Sequence, residues 1–218
     1  MARVDRARFL PRATRPYAST DAPLTIGHGA TCSQPSTVRA MLELLDVPAG
    51  ARVLDVGSGS GWTTAILAEL VGRGGSVLGV ELVPELVRRS RAALEGAASV
   101  GQAAEDVETA APHGRTGTGT GTDTDTDTEK PASPRTGRPR IEFRVAEAGV
   151  LGAPDDGPFD RILVSAMSDA VPEPLVAQLA VGGVMVVPAG GHLVRVRRTP
   201  DGRDEERAPG SYAFVPLR

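Results

Sequence analysis

The stretch that most constrains this chain is Arg52–Gly61, RVLDVGSGSG: a short apolar run that ends in three glycines at alternate positions. Trp62–Val71 follows at once and carries Ile66, Leu67 and Leu70 at helical spacing. A strand that enters a helix through a glycine turn belongs to a parallel sheet, because parallel strands need crossover connections. Ser76–Glu81 reads as the next strand. It ends on an acid about 20 residues past the last glycine.

The loop and the acid together have a chemical use. Glycines let backbone approach a ligand closely, and a carboxylate that closes the second strand can accept hydrogen bonds from both ribose hydroxyls. Dinucleotide sites favour G-x-G-x-x-G, whereas this loop reads Gly57-x-Gly59-x-Gly61. Asp55 lies just before it, where a carboxylate would serve a pyrophosphate poorly and would sit near the amino acid moiety of S-adenosylmethionine. The expected cofactor is therefore S-adenosylmethionine, and the candidate residues around it are Asp55, Gly57, Ser58, Gly59, Glu81 and Leu82; the portion of the cofactor that each loop residue holds is what the family resemblance given below implies. A plain connecting turn would explain the glycines but not the acid.

The other segments extend an alternating α/β order. Val38, Met41, Leu42 and Leu45 predict a helix over Ser33–Leu45, with Ser33 as its cap and Pro35 in the first turn. A helix is expected from Pro84 to Leu94, and strands at Ile141–Val145, Arg161–Ser165 and Gly183–Val187. Another helix is expected over Pro172–Leu179. His192–Arg198, the turn signal Pro200-Asp201-Gly202 and Ser211–Pro216 read as a closing antiparallel pair. The fold class is a doubly wound, Rossmann-like α/β domain with a mostly parallel sheet and an antiparallel end, spanning 1–218. From about 101 to 139 the chain carries TGTGTGTDTDTDT among Gly, Pro, Ser and charge, a composition too poor in large apolar residues to build a core. It is expected to be a disordered insertion.

Several functions are disfavoured. A formal charge of −3 does not suit bulk electrostatic attachment to nucleic acid or anionic lipid. Cys32 is the single cysteine, so neither an internal disulfide nor a thiolate cluster can form, and no metal site is expected. The N-terminal run MARVDRARFLPRATRPY lacks an apolar segment of signal-peptide length, and no later stretch suits a membrane span. The protein is expected in the cytoplasm, as a monomer.

Ahead of the glycine loop stands TIGHGATCSQPSTVRAMLELL. With Thr31-Cys32-Ser33-Gln34-Pro35 and Glu43-Leu44-Leu45, this resembles the protein-L-isoaspartate (D-aspartate) O-methyltransferase family, whose pattern there is Thr-Ile-Ser-(Ala or Gln)-Pro before a helix ending Glu-Leu-Leu. The likeness continues through Val83-Pro84-Glu85-Leu86, Pro158-Phe159-Asp160, Val171-Pro172, Gly182-Gly183 and Phe214-Val215-Pro216-Leu217. It covers nearly everything outside the insertion.

The resemblance implies methyl transfer from S-adenosylmethionine to the free carboxylate of isoaspartyl residues in damaged proteins or peptides. It makes Ser33 the active-site serine, holding that carboxylate by a hydrogen bond, and places Ala30, Thr31 and Cys32 along the cofactor and substrate cleft. The family ends its third strand with Gly-Asp-Gly, whose Asp contacts adenine; this chain has Ala146-Glu147-Ala148-Gly149. Strand alternation puts Glu147 on that Asp, whereas counting back from Pro158-Phe159 puts Ala148 there. Glu147, the acid available at that turn, is taken as the adenine contact. None of His28, His113 and His192 needs a catalytic role, because a carboxylate is ionised at neutral pH. A methyltransferase acting on an aspartate of a modified peptide or on a small carboxylic acid is the nearest alternative. A non-catalytic binding protein with a degenerate cofactor site, and a nicotinamide dehydrogenase, lie further off.

Overall fold

The computed structural model describes residues 4–108 and 137–218. Its centre is a seven-stranded sheet. After an antiparallel hairpin, β1 (Leu24–Gly27) and β2 (Ala30–Cys32), come helix α1 (Pro35–Leu45), β3 (Arg52–Val56), α2 (Trp62–Val71), β4 (Ser76–Glu81) and α3 (Pro84–Glu108). Then follow β5 (Arg140–Val145), β6 (Phe159–Val164), the single turn α4 (Glu173–Val176), β7 (Leu179–Ala189), β8 (His192–Thr199) and β9 (Gly202–Arg207). Strand order is β5-β4-β3-β6-β7-β8-β9, parallel from β5 to β7 and antiparallel beyond. Chain direction across the sheet reverses between β3 and β6, which is where such folds open a crevice at their strand ends.

Alternation along the central strands sorts the core into two layers. Val53, Val77, Leu163 and Val186 face one side, packed beneath α1, α2, the start of α3 and the N-terminal residues Phe9 and Leu10. Leu54, Leu78, Ile162, Val164 and Met185 face the other, against Ala153, Leu175 and Val176. Ile162, Leu163 and Val164 are fully buried on successive faces, as a strand covered on both sides requires.

Several sequence expectations are corrected. Helix α1 begins at Pro35, so Ser33 is not its cap; instead Asp21 Oδ1 accepts from Ser36 N at 2.8 Å and its other oxygen accepts from the Gln34 side chain at 3.1 Å. These bonds hold the Asp21 carboxyl below its usual pKa. The expected helix over Pro172–Leu179 is one turn long, because Leu179 already pairs with Phe159 in the sheet. The partner of β8 is Gly202–Arg207 rather than Ser211–Pro216, with Thr199 opposite Gly202. That strand, GRDEER, is polar throughout and has no apolar alternation to reveal it. Helix α3 runs on to Glu108, through an alanine-rich stretch of high helix propensity, and so takes in the first residues of the expected insertion. The threonine repeat lies outside the described residues. Among those described, no helix is long and apolar enough to cross a membrane.

Candidate active site

Because β3 to β6 run parallel, their C-terminal ends emerge on one edge, and a cleft of about 440 Å3 opens over them. At its centre the chain leaves β3 through Gly57 and Ser58, whose N–H groups both donate to Val80 O at the end of β4, at 2.9 and 3.1 Å. This draws the loop across to Glu81. Glu81 Oε2 accepts from Gly59 N and Oε1 from Val83 N, each at 3.0 Å. The carboxylate is thus locked in orientation by backbone while each oxygen keeps a lone pair for a ligand. Gly59 has φ +54, and a Cβ there would lie 3.4 Å from Ile26 Cδ1, so bare backbone fits this approach best.

Asp55 sits one layer below, fully buried in the sheet. Its Oδ2 accepts from Thr64 Oγ1 at 2.6 Å, and its Oδ1 has no partner. Burial, opposed by the Thr64 bond and reinforced by the Glu81 charge, pushes its pKa up to about 7. Ser58 Oγ behind the loop is likewise buried without a partner. Unsatisfied acceptors under a glycine loop, with a fixed carboxylate at its rim, are the complement of a ligand that carries a cation and a diol.

The opposite wall comes from the N-terminal hairpin. His28, Gly29, Ala30 and Thr31 line the cleft, followed by Ser33, Gln34 and Thr37. Ser33 is half-buried, and its hydroxyl has no hydrogen-bond partner among the described residues. Beneath it lies Arg6, buried although charged. Its guanidinium donates to the carbonyls of Ala18, Thr20, Ala22, Cys32 and Ser33, and its face rests on Trp62 at 5.2 Å. Cys32 is buried and its Sγ accepts from Arg6 Nε at 3.5 Å, so its thiol faces the protein rather than the cleft.

Of the residues marked out from sequence, Ala30, Thr31, Ser33, Gly57, Gly59, Glu81 and Leu82 meet along the cleft; Cys32, Asp55 and Ser58 support it from beneath. Glu147 does not join them. It is exposed just past β5, where Ala146 and then Val150, Leu151 and Gly152 form the lining. Sequence reasoning missed Ser165, which follows β6 directly; its place at the strand end beside the crossover was the available signal. It also missed the tail as a wall: Ser211–Arg218 crosses the cleft, pinned by Tyr212 N to Gly191 O (2.8 Å), Met167 N to Val215 O and Leu217 N to Met167 O (both 2.7 Å).

The chain is similar to known proteins over its whole length. A family described as protein-L-isoaspartate (D-aspartate) O-methyltransferase matches residues 1–218. The chain is 39% identical over 221 residues to the protein-L-isoaspartate O-methyltransferase of Aeropyrum pernix, covering all of this chain and 70% of that protein. It is 40% identical over 222 residues to the enzyme of that name from Anaeromyxobacter dehalogenans, covering 86% of it. Among solved structures, a crystal structure from Plasmodium falciparum described as a putative protein-L-isoaspartate O-methyltransferase in complex with S-adenosyl-L-homocysteine shares the fold. Its TM-score is 0.70 at 24% identity, over 100% of this chain and 87% of that one.

Proposed function

Since the chain belongs to the protein-L-isoaspartate (D-aspartate) O-methyltransferase family, we propose that it methylates the free carboxylate of L-isoaspartyl residues in damaged proteins and peptides, with S-adenosylmethionine as donor. The observation that carries this reading is the meeting of two elements at one crevice. The glycine loop with Glu81 forms one wall, and the Ala30–Ser33 segment, whose Ser33 hydroxyl has no partner among the described residues, forms the other. A cytoplasmic, monomeric protein that does not engage nucleic acid fits the same reading.

When bound, S-adenosylmethionine supplies an electrophilic methyl group on a sulfonium. The residues that fit it are Gly57 and Gly59 along the methionine portion, Asp55 and Ser58 beneath, and Glu81 with Leu82 at the ribose. Ser33 donates a hydrogen bond to one oxygen of the substrate carboxylate and leaves the other free to attack. That carboxylate has an ordinary pKa of about 4, so it is already the nucleophile at neutral pH and no side chain need remove a proton. With S-adenosylmethionine held by Gly57, Gly59 and Glu81, its methyl–sulfur bond would break as the C–O bond to that carboxylate formed, and the products would be a methyl ester and a neutral thioether. The protein contributes alignment and exclusion of water, and the tail Ser211–Arg218 lines one side of the cleft.

The test is transfer of labelled methyl from S-adenosylmethionine to an isoaspartyl peptide beside its normal aspartyl counterpart. Label on the isoaspartyl peptide alone is expected. Label on neither peptide, with S-adenosylhomocysteine still bound, would redirect the assignment to a modified peptide or a small carboxylic acid.

A further inference from the structure

Among the described residues that line the cleft, Glu81 carries the one acidic side chain, and beside it the lining is Leu82, Val83, Ala146, Val150, Leu151 and Gly152. Glu147 stays exposed on the loop after β5, and Gly149 turns the chain at φ +81 before the lining resumes at Val150. What stands at this end is an apolar wall, and its position is set from behind by a buried amide. Gln178, 5% exposed, accepts from Ala153 N at 2.8 Å and donates to Leu151 O at 2.8 Å and Pro174 O at 2.9 Å. One of these bonds falls on the wall itself, at Leu151, and a second on Ala153, which follows it directly. Contact is close: a Cβ on Gly152 would lie 2.5 Å from Gln178 Oε1.

Resting on the cofactor reading above, we propose that this chain holds the purine of its S-adenosyl ligand by shape, against the Val150–Gly152 wall that Gln178 positions, with no side chain reading the exocyclic amino group. An apolar wall gains from burying the flat ring whatever its substituents. A carboxylate accepting from the amino group would instead make that group indispensable, since losing a charged hydrogen bond costs on the order of tenfold or more in affinity. Gln178 is a positioning residue: it reaches the ligand only through the backbone of Leu151 and Ala153.

The experiment is calorimetric and needs no turnover. The wild-type protein is titrated with S-adenosylhomocysteine and with its 6-deamino purine counterpart, which keeps the ring nitrogens and lacks only the amino group. The expected ratio of dissociation constants is within about threefold, and Glu147→Ala is expected to bind S-adenosylhomocysteine within about twofold of wild type. A loss of about tenfold or more in either comparison would overturn the proposal by showing that the amino group is read. For Gln178→Ala the expected result is weakened binding of S-adenosylhomocysteine and unchanged competition by S-ribosylhomocysteine, which lacks the base. Equal weakening of both would assign Gln178 to general stability instead of the wall. Failure of S-adenosylhomocysteine itself to bind wild type would be a separate result, overturning the cofactor reading and this inference with it.

Discussion

The Arg6 guanidinium donates to the carbonyl oxygen of Ser33 at 2.8 Å, and so ties an N-terminal turn to a residue that lines the cleft. One side chain thus bonds three carbonyls of the 18–22 segment together with those of Cys32 and Ser33. Arginine suits this position because its planar fork carries five donors and never loses its charge. Arg6→Met should strand those carbonyls and cost roughly 3–5 kcal/mol of stability. Arg6→Lys, with three donors, should cost less. Urea denaturation midpoints of the two variants would check this ordering; equal midpoints to wild type would show that the carbonyl cluster is satisfied without Arg6.

Ser33→Ala removes the hydroxyl while leaving its backbone held by Arg6. The expected effect is a fall in turnover on an isoaspartyl peptide of about 10- to 100-fold, the worth of a hydrogen bond to a charged acceptor. Affinity for S-adenosylhomocysteine should stay within about twofold. Steady-state kinetics beside calorimetry separates the two quantities. A parallel loss of both would mean that Ser33 serves the shape of the hairpin.

The glycine loop and Glu81 were legible in the sequence because their chemistry is local: a strand, a turn and an acid at a fixed separation. The Ala30–Ser33 wall was reached through a resemblance, since nothing local states that a hairpin will fold over the cleft. Asp21 as the cap of α1 was not legible, because it arrives from 15 residues upstream through the fold of the N-terminal segment. Strand β9 was hidden by its own composition; an edge strand with both faces in water needs no apolar alternation. Glu147 is the opposite case. Residue type nominated it, and the turn after β5 leaves it exposed, outside the lining that Ala146 and Val150 join.

Gly61 tests how tightly the loop is built. It has φ +83, and an added Cβ would come within 2.8 Å of Ser90 Cβ and 2.9 Å of Phe143 Cζ. Both neighbours are buried, so neither has room to withdraw. Gly61→Ala combines a left-handed backbone penalty with overpacking and should destabilise by about 2–4 kcal/mol. A thermal melt measures it. A variant as stable as wild type would show that α3 can slide away from the loop.

Asp55 should leave a signature in the pH dependence of stability. Its pKa lies near 3.8 in the unfolded chain and about 7 in the fold, raised first by burial. Between those values the folded state holds a proton that the unfolded state has released, so this residue's contribution is fully present below pH 4 and is lost as pH rises toward 7. Asp55→Asn keeps the shape and abolishes the titration. Relative to the variant, wild type should therefore lose stability steadily from pH 4 to 7, by an amount on the order of a few kcal/mol, with little further change above pH 8. Denaturation of both proteins across that range isolates the effect, since every other group cancels in the difference. A difference independent of pH would mean that Asp55 is ionised in the fold even at pH 4, with its open oxygen solvated. Adding S-adenosylhomocysteine extends the same measurement: an ammonium group bound near Asp55 stabilises the carboxylate, so the slope should flatten and binding at pH 6 should release protons to the buffer.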